Sequence, residues 1–76
     1  MNKDTEEVYT LMKNKFLETH ERHVSIVIPS RLKDQKKALC EKLESEGKIA
    51  NTKYYGQDQV ACDLVDDKMA IVKITY

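Results

Sequence analysis

The chain's two histidines and two cysteines, His20, His23, Cys40 and Cys62, are the residue types that most often hold structural zinc. A structural zinc site usually joins a close cysteine pair to a close histidine pair. Here the cysteines are far apart in the chain and both fall on apolar stripes, which reads as two small core residues and no metal. The two histidines read as a surface feature near the end of a first helix, where a charged imidazole suits the dipole. Acid–base catalysis needs carboxylates or histidines that converge on a pocket, whereas Asp66 and Asp67 are neighbours in an expected turn. Gly47 and Gly56 are the only glycines, so no glycine-rich phosphate loop exists. These residues point to no catalytic group, no metal and no cofactor. The expectation is a protein that is not an enzyme.

The more informative cluster is basic. Arg31, Lys33, Lys36 and Lys37 crowd together, opposed only by Asp34. If they open a helix, they oppose the partial positive charge at its N-terminus. A phosphate bound by the free N–H groups and these side chains would turn that cost into binding energy. The alternative is a helix that keeps a solvated basic face. Between residues 31 and 53 the chain holds seven basic and four acidic residues, and the remainder holds six against nine. A neutral total therefore hides a polarised molecule. Lys53, Tyr54 and Tyr55 stand just before an expected turn, where a cation beside aromatic rings can meet a nucleic-acid backbone or stack on bases. Alternation along a strand sends one of the two tyrosines towards the core.

Regular elements must position these groups. Val8, Leu11, Met12 and Phe16, with Tyr9 at the edge of their stripe, repeat at helical spacing and predict an amphipathic helix over residues 4–19, capped by Asp4 and Thr5. Val24, Ile26 and Ile28 alternate with His23, Ser25 and Val27, which predicts a strand over 23–28 stopped by Pro29. Ser30 is placed to cap a second helix over 31–46. There Leu32, Leu39 and Leu43 form a narrow stripe flanked by Cys40, and Gly47 ends the helix. Strands follow over 48–55 and 59–65, joined at Gly56-Gln57-Asp58. After a turn at Asp66-Asp67 a last strand spans 68–76, apolar on both faces at Met69-Ala70-Ile71-Val72. The order is helix, strand, helix, strand, strand, strand. This predicts an α+β fold with the helices packed on a mainly antiparallel sheet.

The 76 residues make one domain, over 1–76, with 13 basic and 13 acidic residues and only two cysteines. Balanced charge argues against a generic polycation, and no apolar run approaches a membrane span. The first residues carry no apolar leader core, so a cytoplasmic protein with reduced thiols is expected. A chain this short buries only roughly 60% of its unfolded surface, which favours a homo-oligomer or a docked partner.

The helix that carries Leu39 and Leu43, followed by Glu46-Gly47-Lys48-Ile49 and a hairpin with Gly56 at its tip, resembles part of a winged-helix domain. The resemblance implies a helix that enters the major groove and a wing that touches the backbone. The family has another helix before that one, for which the chain leaves only Pro29-Ser30. The expected function is a regulatory nucleic-acid-binding module, with Arg31, Lys33, Lys36, Lys37, Lys53, Tyr54 and Tyr55 as contacts. The alternative is a protein-interaction or homodimerising module that uses Met69 and Ile71 of the last strand, by sheet extension or face packing.

Overall fold

The computed structural model of the chain describes residues 3–66. The strand expected over 68–76, with Met69 and Ile71, lies outside the described residues. Helix α1 spans Lys3–Thr19 and strand β1 His23–Val27. A 3-10 helix, Ser30–Gln35, runs into α2, Lys36–Ser45, and the hairpin of β2, Ile49–Tyr55, and β3, Gln59–Leu64, follows. The described strands form one antiparallel sheet in the order β1-β3-β2. The described residues thus form two α-helices packed on a three-stranded antiparallel sheet, the α+β class that the alternation of hydrophobic periods predicts.

The apolar stripe of α1 is the one the spacing gives: Val8, Tyr9, Met12 and Phe16 are buried, together with Thr5. They cover one face of the sheet, formed by Val24, Ile26, Val60, Cys62, Leu64 and Ile49. Leu39, Cys40 and Leu43 close the core from α2. Burial of this kind, at roughly 25 cal/mol per Å² of apolar surface, is the main force holding the layers together. Helix α1 ends without glycine because His20 itself adopts φ +61°, while its N–H still donates to the Phe16 carbonyl at 2.7 Å.

The second helix corrects the expectation of one continuous element over 31–46. Leu32 is buried, but the positions three and four further on are Gln35 and Lys36, so no second apolar side chain holds the first turn as α-helix. The backbone takes the tighter 3-10 path, with the Leu32 N–H donating to the Pro29 carbonyl at 2.8 Å. It restarts as α-helix after Gln35, at φ −105° and ψ 0°. Pro29 occupies the cap position of the 3-10 helix, and neither it nor Gln35 supplies a side-chain cap, so Ser30 does not play the expected part. Gly47 does close α2, at φ +75°.

In β2, Ile49 and Tyr54 both point inward although five residues apart. An extra residue makes this possible. The pairs Ala50–Asp63 and Lys53–Ala61 advance three positions on β2 for two on β3. The bulge is relieved at Asn51, whose φ of +56° suits an asparagine.

Candidate functional site

Exposed Lys33 and half-buried Lys36 stand where the 3-10 helix and the start of α2 meet the β2–β3 turn. Gly56 makes the turn at φ +63°, and the tip is tied on two sides. The Ile28 N–H donates to the Asp58 carbonyl at 2.7 Å. The Lys36 ammonium donates to the Gly56 carbonyl at 3.2 Å and to the Gln57 carbonyl. Lys33 Nζ reaches Gln57 Oε1 at 3.4 Å, a long contact at the limit of a hydrogen bond. Between these groups lies an open groove of about 480 Å³, lined by Lys33, Asp34, Lys36, Gly56 and Gln57.

The residues singled out in the sequence are thus divided among several settings. Lys33, Lys36 and the hairpin tip come together. Lys37 is exposed on the first turn of α2. Arg31 turns to α1, where its guanidinium pairs with Glu7 and stands 3.8 Å from Asp4. Lys53 and Tyr55 lie on the outer face of the sheet, and Tyr55 is 51% exposed. Tyr54 faces inward, packed against the core beside α2. Burial, and then the neighbouring Cys40, Glu44 and Glu41, pushes its phenol up to about 12. Of the two hairpin tyrosines, Tyr55 is therefore the exposed one.

Both cysteines are buried and free. Desolvation, followed by the charge of Glu44, pushes the Cys40 thiol up to about 11; desolvation, followed by the charge of Cys40, pushes Cys62 up to about 12. The Cys62 thiol lies 3.7 Å from the Met12 sulfur. Among the described residues no group of three or more His, Cys, Asp or Glu side chains is arranged to hold a metal. No described helix is long and apolar enough to cross a membrane.

Two polar clusters escape sequence reasoning. The Tyr9 hydroxyl donates to Asp66 Oδ2 at 2.8 Å. Lys48 Nζ stands 3.7 Å from the same carboxylate, and the Lys13 and Lys48 ammonium groups lie 4.9 and 5.2 Å from the Tyr9 ring centre. Burial, then the hydrogen bond and charge of Asp66, drives the Tyr9 phenol far above its usual range. On the outer face, Asp63 accepts from Asn51 Nδ2 at 2.9 Å and pairs with His23 Nδ1 at 2.7 Å, linking all three strands. Contacts between residues far apart in the chain make both clusters: strand register brings Asp63 beside His23, and the packing of α1 against the end of the hairpin brings Tyr9 to Asp66.

No protein-family model, curated protein or solved structure matches this chain.

Proposed function

We propose that this chain is a small, non-enzymatic nucleic-acid-binding module of winged-helix-like build, with the start of α2 and the β2–β3 hairpin facing the phosphate backbone. The observation that carries the reading is the convergence of Lys33 and Lys36 on Gly56 and Gln57, which joins helix start and hairpin tip into one basic surface. The 3-10 helix adds to it. A winged-helix domain has another helix between the first strand and the helix before the wing, and Ser30–Gln35 stands at that position here.

In this reading Lys33 and Lys37 meet phosphate from the helix side, while Lys53 and Tyr55 meet a strand that passes over the outer face of the hairpin. Arg31 acts mainly as a strap between the 3-10 helix and α1. The two free thiols fit a reducing compartment such as the cytoplasm, where the module would work as a homo-oligomer.

The test is a titration of the protein into labelled duplex and single-stranded DNA at low and moderate salt, with its solution mass measured alongside. Binding that weakens steeply with salt, and that the double variant Lys33→Glu/Lys37→Glu loses while its circular dichroism stays native, supports the module. Unchanged affinity in that variant removes the site. No binding even at low salt removes the function.

A further inference from the structure

We propose that Lys36 is a positioning residue, whose ammonium holds the hairpin tip against the start of α2 instead of meeting phosphate itself. Its partner rests on the nucleic-acid reading above; its mechanism rests on the geometry of the tip.

Three successive carbonyls of the turn are all taken up on the side of β1 and α2. Asp58 accepts from the Ile28 N–H, and Gly56 and Gln57 both accept from Lys36. A lysine ammonium has three donors, and two of them are engaged here. Bonds from a charged donor are stronger than neutral ones, so a phosphate oxygen would have to displace two carbonyls at once. Lys33 differs, because its one contact is to a side-chain amide at 3.4 Å and yields readily. Lys37 differs as well, being exposed on the helix surface where Lys36 is half-buried.

The tip has need of such a tie. Gly56 sits at φ +63° in a turn whose glycine has little conformational preference of its own, so the turn sequence alone leaves the tip free to swing. An external donor that grips the carbonyls of two successive peptides, Gly56–Gln57 and Gln57–Asp58, fixes their orientation before any partner arrives. Order already present in the free protein need not be created on binding.

The experiment compares Lys36→Met, which keeps the aliphatic stem and removes the donors, with Lys36→Arg and Lys33→Gln. Two quantities are read: affinity for labelled duplex DNA as a function of salt, and amide hydrogen exchange at Ile28 in the free protein. Lys36→Met is expected to weaken binding roughly tenfold through lost preorganisation, with the salt slope unchanged. Lys33→Gln is expected to reduce the slope by about 0.9, the value for one phosphate contact. Ile28 exchange should quicken in Lys36→Met, because its acceptor Asp58 is then held on one side only, and both properties should recover in Lys36→Arg. A slope lowered by about 0.9 in Lys36→Met would make Lys36 a phosphate contact and overturn the proposal. Unchanged Ile28 exchange would overturn it too. Wild-type protein that binds no DNA overturns the nucleic-acid reading, and the exchange measurement still decides whether Lys36 tethers the tip.

Discussion

The two faces of the sheet are built from alternate residues of the same three strands, yet they are held to different standards. On the inner face Val24, Ile26, Val60, Cys62, Leu64 and Ile49 are each at most 8% exposed and interlock with α1 and α2. On the outer face the register sets Val27, Gln59 and Tyr55 in one row and Ser25, Ala61 and Lys53 in the next. Val27 and Tyr55 are more than half exposed there. Ala61 alone in these two rows is buried, a small residue on the central strand. The inner face defines the fold, so its residues tolerate little change. The outer face carries no such packed core among the described residues.

The largest effect that tests this contrast comes from a pair of aromatic truncations. Phe16 is 2% exposed and closes the C-terminal end of the α1 stripe. Phe16→Ala is expected to cost about 3–5 kcal/mol, comparable to the whole stability of a marginal small domain. Tyr55→Ala should change stability by less than about 0.5 kcal/mol, because its ring is half in solvent already. Urea midpoints for the two variants measure the difference directly. Comparable losses would mean that the outer face is covered by something that contributes to folding.

Next in size is the bulge, where the two faces come out of step. Asn51→Val places a β-branched residue at φ +56° and removes the bond to Asp63, for an expected loss of about 2 kcal/mol. Asn51→Gly keeps the backbone free of strain and loses only the side-chain bond, so it should cost less than half as much. Equal costs for valine and glycine would show that backbone strain is not what asparagine relieves.

The same two faces explain what was legible in the sequence. Stripes of period 3.6 and 2 report burial on one side, so α1, β1, the hairpin and its Gly56 turn could all be read from single residues. The division of residues 31–46 could not, because one buried leucine with no apolar partner in the next turn leaves the choice between 3-10 and α-helix to tertiary packing. At the candidate site the basic cluster was legible as a composition. Its allocation was not. Arg31 is paired by Glu7, and Lys36 by carbonyls 20 and 21 positions further along the chain, and no local pattern encodes those contacts. The inward turn of one tyrosine followed from alternation, but which of the two it is depends on the bulge at Asn51, an irregularity with no strong signature in the flanking residues.

A smaller test also lies at the bulge. Thr52 points inward, and its hydroxyl is buried without a hydrogen-bond partner. An unmade bond of this kind costs about 1–3 kcal/mol, whereas a methyl group in the same place costs nothing in polar desolvation. Thr52→Val should therefore stabilise the domain by about 1 kcal/mol, with its β-branched shape retained for the strand. Thermal unfolding followed by circular dichroism would register a higher midpoint. A lower one would mean that the hydroxyl finds a partner in solution.

The smallest expected effect is the most specific, because its pH dependence has a fixed sign. Asp63 is held below the usual carboxylate range first by the Asn51 amide and then by the His23 ring, helped by the charges of His23 and Lys53 and opposed by slight burial. A carboxyl group whose folded value lies below its unfolded value of about 3.9 binds protons more readily in the unfolded chain as the pH falls. Its contribution is therefore present in full above that unfolded value and is lost as the pH drops through the folded one. Asp63→Asn should leave the protein slightly less stable than wild type from neutral pH down to about 4, and the two stability curves should converge in stronger acid. Asn51→Gly removes the first-named cause and should move the convergence to higher pH, while the inner-face variant Phe16→Ala should shift the whole curve without changing its shape. If Asp63→Asn runs parallel to wild type throughout, the link across the three strands adds nothing to folding, and the outer face is freer still than its exposure indicates.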